Sequence, residues 1–155
     1  MADATAIEDS ITISASRDEV FDALTRPERL ERWMATSVES DPRTGGHFRY
    51  SFEFEDAAQN NVQEGQYLEV LPSERVALPW VFPFSPKQTR VEYALDGDAD
   101  QTEVRFSHSG FDSGEPWDQA RVRFVGGWRM FLECLKAHVE RGADGRPLGM
   151  KGSAA

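Results

Sequence analysis

The sequence is poor in three things: cysteine, basic charge and long apolar runs. Its single cysteine, Cys134, excludes an internal disulfide, and one thiol beside three scattered histidines makes no zinc site. Seventeen Lys and Arg stand against 27 Asp and Glu, a formal charge of −10. That balance opposes non-specific attraction to phosphate backbones and anionic membranes, so neither is expected as a partner. No apolar run reaches the ~18 residues of a membrane-spanning helix. The opening MADATAIEDS is acidic and has no apolar core, so it does not read as a secretory leader. The expectation is a soluble, cytoplasmic protein with no metal and no cofactor. GxSxG, Walker, GxGxxG and HExxH motifs are also missing. Asp96-Gly97-Asp98-Ala99-Asp100 imitates the start of a calcium loop, but Gln101 and Ser107 occupy the positions that need Gly and Glu. It reads as a polar hairpin tip.

What is there suits one globular domain: 155 residues, 39% hydrophobic and 11% aromatic. Residues 1–9 and 143–155 lack periodicity and are expected to be flexible, leaving a single domain over 10–142. Ile11 and Ile13 alternate with polar residues, as in a strand. Ser16-Arg17-Asp18-Glu19 reads as a capping box that opens a short helix, and Pro27 ends it and starts a second through Trp33. In GGHFRYSFEFE the aromatics Phe48, Tyr50, Phe52 and Phe54 alternate with polar residues, the clearest strand pattern in the chain. Further strands are expected over Val62–Leu71, with Gly65 as a bulge, over Arg75–Phe82, around Val91–Leu95 and over TEVRFSHSGF. From Trp117 to Arg141 the period becomes helical, with Trp117, Phe124, Trp128, Phe131, Leu132, Leu135 and Val139 on one stripe and Gly142 as the stop. The order is strand, two short helices, a run of about six antiparallel strands, then one long helix. The fold class is therefore α+β, a curved antiparallel sheet whose apolar face is covered by the long C-terminal helix.

Four segments carry a resemblance: ITISASRDEVFDALTRPERLERW (11–33), EGQYLEVLPSERVALPW (64–80), VRFSHSGF (104–111) and GGWRMFLECLKAHVERG (126–142). Together and in this order they resemble the SRPBCC superfamily of START, polyketide-cyclase and Bet v types. The nearest branch is the one named for homologues of the activator of the heat-shock chaperone ATPase. The resemblance implies a helix-grip fold with a cavity between sheet and C-terminal helix. It implies no reaction, since members include lipid and hormone carriers, cyclase-type proteins and co-chaperones.

The residues that could serve such a cavity are few. His108 shares the apolar face of its strand with Val104 and Phe106, either as a satisfied wall residue or as a polar contact to a ligand. Arg121 falls between Trp117 and Phe124 on the helix stripe. It either snorkels or offers its planar fork to an anion at the cavity mouth. Trp33, Tyr50, Phe52, Trp80, Phe82, Phe106, Trp117, Phe124 and Trp128 are core candidates that could also line a ligand cavity. Gly126-Gly127 interrupts the helix, for close packing on the sheet or as a hinge. His47 and His138 are expected in solvent, and Cys134 as an inert thiol.

Three functions stay open. The first is binding of a small hydrophobic or amphipathic ligand in the cavity. The second is a protein-interaction module, co-chaperone-like, with a chaperone or other protein as partner. The third is a cyclase- or hydrolase-type enzyme, for which His108 has no confident partner, although Asp112 or Glu115 could approach from the following loop. The chain is expected to be a monomer or a homodimer.

Overall fold

The computed structural model describes residues 6–142, 146–147 and 149–152. The elements follow the expected order: β1 (Ile7–Ile13), α1 (Arg17–Thr25), α2 (Pro27–Trp33), β2 (Ser37–Ser40), β3 (His47–Phe52), β4 (Asn61–Gln66), β5 (Glu69–Leu71), β6 (Arg75–Val81), β7 (Gln88–Gly97), β8 (Thr102–Ser109) and α3 (Trp117–Arg141). A single 3₁₀ turn spans Ala57–Gln59. The architecture is the helix-grip fold, a curved antiparallel sheet closed on a long C-terminal helix.

Local chemistry sets the helix ends. Ser16 caps α1 by accepting from the Glu19 N–H at 3.2 Å. The reciprocal half of a capping box is not made, because the Glu19 carboxylate accepts from Arg29 at 2.7 Å instead. Pro27 opens α2, where its missing N–H costs nothing. Gly142 ends α3 in the left-handed region, with φ of 65°.

The sheet is divided rather than continuous. Strands β1-β8-β7-β6-β5 form one antiparallel layer and β2-β3-β4 a second. The single strand expected over 62–71 is broken at Tyr67-Leu68, where the chain leaves the second layer as β4 and enters the first as β5. Strand β2 carries no sequence signal beyond one apolar residue, Val38, which is why it is not legible in the pattern. Gly65 is not a bulge. It pairs in register with Phe48, and a Cβ there would lie 3.3 Å from the Pro79 ring, so the glycine lets β4 cross close over β6.

The long helix is anchored to the outer edge of β1. Arg129 donates to the Ser10 carbonyl at 3.0 Å, Lys136 to the Thr12 carbonyl at 2.7 Å, and the Glu140 carboxylate accepts from the Ser14 N–H at 2.7 Å. Backbone groups that an edge strand would leave to water or to another chain are thus taken by α3. The core beneath is continuous, with Trp33, Phe48, Leu132, Leu135 and Val104 almost wholly inaccessible.

The ends are more structured than their lack of periodicity predicts. β1 starts at Ile7, three residues before the expected domain start, because Ile7 packs in the core opposite His108. In the tail, Met150 pairs with Phe54, the Lys151 N–H donates to the Glu53 carbonyl at 2.7 Å, and Arg146 bonds the Glu31 carbonyl. The remaining residues expected to be flexible, 1–5, 143–145, 148 and 153–155, lie outside the described residues.

Candidate functional site

Beyond the crossing of the two layers a cleft opens. Gly65 touches Pro79, and two residues along β4 the buried Gln63 spans to β6 with its side chain. Its carboxamide donates to the Val81 carbonyl at 2.9 Å and accepts from the Val81 N–H at 3.0 Å, standing in for a missing strand partner. Two residues further, Asn61 and Pro83 both line a cleft of about 770 Å³. That volume is in the range of small-molecule sites, ~300–1,000 Å³.

Three elements build its walls. Phe52 and Phe54 come from β3 and its extension, and Trp80, Phe82 and Phe84 from the end of β6 and the following loop. Helix α3 supplies Phe124, Trp128 and Phe131, with the small Ala120 and Gly127 between them. The rim is polar: Gln59, Asn60 and Asn61 on one side and Arg123 on the other. Among the described residues no Asp or Glu lines the cleft. The rings form a connected lattice. Phe52 contacts Trp80 at 5.9 Å between centroids, Trp80 contacts Trp128 at 5.1 Å, and Phe82 contacts Phe124 at 4.8 Å, mostly edge to face.

His108 stands behind this wall, not in it. Its ring is wholly inaccessible and stacks on Phe82 at 5.8 Å with 8° between planes. Both nitrogens are occupied. The Trp128 indole N–H donates to Nδ1 at 3.0 Å, so Nε2 carries the proton and donates to Thr89 Oγ1 at 2.7 Å. Thr89 in turn donates to the Trp80 carbonyl at 2.8 Å. Burial lowers the His108 pKa to about 3, so the ring is neutral throughout the physiological range. His108 therefore fixes three parts of the cleft wall, Trp128, Trp80 and Phe82, and has no free lone pair for a ligand.

Of the other expected site residues, Phe52, Trp80, Phe124 and Trp128 do line the cleft. Trp33, Tyr50, Phe106 and Trp117 do not. Trp33 is buried and donates to the Ala23 carbonyl at 2.8 Å. Tyr50 shares a 2.7 Å hydrogen bond with the Tyr67 hydroxyl, itself 2.7 Å from Ser40, and burial raises its pKa. Phe106 packs between Tyr93 and Trp128, and Trp117 sits edge-on to Phe84 with Lys87 5.7 Å above its ring. Arg121 does not line the cleft; Arg123 does. Two helical residues subtend about 200°, so the two arginines lie on opposite flanks of α3. The sequence stripe was centred on the largest side chains, whereas the cleft runs along one flank, beside Ala120 and Gly127.

Of the two readings of the glycine pair, close packing on the sheet does not hold. A Cβ at Gly126 or Gly127 would meet nothing within 4 Å, so neither allows close packing on the sheet. Gly127 instead leaves open space in the cleft wall. His138, expected in solvent, is 5% exposed and accepts from Arg29 Nε at 2.8 Å, while His47 is exposed and pairs with Glu64. Cys134 is half-buried, and burial raises its pKa. Asp112 is held by Lys87, and neither Asp112 nor Glu115 lines the cleft. Among the described residues no cluster of three His, Cys, Asp or Glu is placed to hold a metal, and no helix is long and apolar enough to cross a membrane.

A long helix gripped by a curved antiparallel sheet, with an aromatic cleft between them, defines a domain of the SRPBCC, Bet v1-like superfamily. The model of one family, Activator of Hsp90 ATPase homolog 1-like protein, matches residues 14–140, and the chain belongs to that family. No curated protein sequence matches it. Among solved structures, protein MLL2253 from Mesorhizobium loti is 23% identical with a TM-score of 0.74, over 88% of this chain and 97% of that one. The Aha1 dimer from Colwellia psychrerythraea is 24% identical with a TM-score of 0.71, over 88% and 97%. CalU16 from Micromonospora echinospora is 29% identical with a TM-score of 0.70, over 88% and 74%.

Proposed function

We propose that the chain binds a small hydrophobic or amphipathic molecule in the cleft between α3 and the parted sheets. One observation carries this reading: a 770 Å³ space walled by eight aromatic side chains and held open by Gly127 on the helix side. Apolar burial would drive binding, at about 25 cal/mol per Å² before ordering costs. The aromatic lattice is braced from behind by His108, so the walls are formed before a ligand arrives, which keeps the ordering cost low. The test is a thermal-shift screen with aromatic acids, flavonoids, fatty acids and polyketide-like compounds, run on the native chain and on Gly127→Leu. A ligand at 100 times its Kd adds about 2.7 kcal/mol. That is a shift of roughly 5–10 °C for a domain of this size. Hits lost in Gly127→Leu support the reading, and a silent screen overturns it.

Family membership supports a second reading, an interaction with a chaperone ATPase. Val122, Val125 and Met130 are exposed on the outer side of α3, away from the core. Stimulation of a chaperone's ATP hydrolysis by the purified chain, lost in Val122→Asp, would favour it over the carrier. An acid–base enzyme has less support: His108 is locked, and among the described residues no carboxylate lines the cleft.

A further inference from the structure

We infer that the cleft selects organic anions, molecules with an apolar body and a carboxylate-like head, and that Arg123 is the residue that chooses them. This rests on the cleft being a ligand site. The chain carries 27 acidic residues among 155, yet among the described residues no Asp or Glu lines the cleft. The same exclusion holds along the helix beside it. Residues 119–132 of α3 contain Arg121, Arg123 and Arg129 and no Asp or Glu. Arg129 is engaged by Asp9 and Glu133. Arg123 is exposed at the rim and has no hydrogen bond or ion pair among the described residues. Most other arginines of this acidic protein do have one: Arg26, Arg29, Arg43, Arg75, Arg90 and Arg105 each contact a carboxylate.

An unpaired guanidinium beside an apolar cleft is a particular arrangement. Its fork can take both oxygens of a carboxylate while the rest of the molecule lies on the rings. Across the mouth, Asn61 adds a carboxamide with no hydrogen bond among the described residues, a further donor for the same head group. The net negative charge of the chain does not cancel this. Charges more than about 8 Å away are largely screened at physiological ionic strength, so the local cation decides at the rim. A neutral ligand would gain nothing from Arg123, and a cationic one would be repelled by it.

The experiment uses two fluorescent probes of nearly the same shape: 1-anilinonaphthalene-8-sulfonate, which is anionic, and N-phenyl-1-naphthylamine, which is neutral. Both are titrated into the native chain, Arg123→Ala, Arg123→Lys and Gly127→Leu, with circular dichroism confirming that each variant is folded. Arg123 is exposed, so its removal leaves the core intact. The expected result is that Arg123→Ala weakens the anionic probe about tenfold and the neutral probe less than twofold, a difference typical of one charge-assisted contact. Arg123→Lys should recover part of the loss, and raised salt should weaken only the anionic probe. Equal affinities for the anionic probe in native chain and Arg123→Ala, with Gly127→Leu still blocking both probes, would overturn anion selection and leave the ligand site standing. Failure of both probes to bind the native chain would remove the site and the inference together.

Discussion

The indole N–H of Trp128 donates to Nδ1 of His108 across 3.0 Å, so the helix holds the strand's imidazole in a single tautomer. The proton on Nε2 then points to Thr89, and the Thr89 hydroxyl to the Trp80 carbonyl. Every donor in this relay, from the Trp128 indole to the Thr89 hydroxyl, meets an acceptor, which is the condition for keeping polar groups in a core at little cost.

Protonation of His108 would break that order, because an imidazolium has two donors and Trp128 offers another donor to Nδ1. Burial holds its pKa at about 3, below the ordinary value of 6.5. Between those values the unfolded chain binds a proton that the folded chain refuses, so stability falls as pH falls. The contribution is complete above about pH 6.5 and declines by up to about 1.4 kcal/mol per pH unit below it. In His108→Gln, which cannot titrate, this part of the pH dependence is absent. Urea melts of both proteins from pH 8 to pH 5 should show the native advantage narrowing as pH drops. An advantage that stays constant would place the stability of His108 in packing alone.

Gln63 serves as a side-chain strand. It satisfies both the N–H and the carbonyl of Val81 where β4 and β6 part. Gln63→Ala leaves two backbone groups unpaired beside the cleft, each costing about 1–3 kcal/mol if water cannot replace the amide. Gln63→Glu keeps an acceptor for the N–H but sets a carboxylate against the carbonyl oxygen, and should be at least as destabilising at neutral pH. The checks are denaturant midpoints for stability and amide exchange at Val81 for the local opening. Unchanged exchange at Val81 in Gln63→Ala would mean that the two layers are held together elsewhere.

Much of this was readable from periodicity. The helix over 117–141, its stop at Gly142 and the inward rows of β3, β7 and β8 all follow from where the apolar residues fall. The lining of the cleft is readable only in part, for physical reasons. Phe52, Trp80, Phe124 and Trp128 stand out in the sequence as large rings, and all four line the cleft. Arg123 was missed because it lies off the stripe of large residues, on the flank where Ala120 and Gly127 leave space. Empty volume has no letter in a sequence. His138 was misplaced in solvent because its partner, Arg29, is 109 residues away and no local pattern joins them. The same holds for the break between β4 and β5. The hydrophobic pattern runs through Tyr67, which is buried, while the backbone changes layers.

The two neighbouring glycines of α3 should separate stability from binding. Each interrupts a helix interior, where glycine is about 1 kcal/mol less favourable than alanine. Neither position crowds a side chain: an added Cβ meets no atom within 4 Å at Gly126 or at Gly127. Only Gly127 lines the cleft; Gly126 is exposed. Gly126→Ala should therefore raise stability by about 0.5–1 kcal/mol and leave ligand affinity unchanged. Gly127→Leu should also be at least as stable as the native chain, since leucine is a good helix former and its side chain would rest on the rings of Phe124 and Phe131. It should at the same time lose the ligand, because it fills the space between those rings. Melting curves and probe titrations on the two variants test the pair together. A Gly127→Leu protein that gains stability and keeps full affinity would mean that the ligand does not use the helix side of the cleft. The glycine would then have to be explained by motion of α3 rather than by room for a ligand.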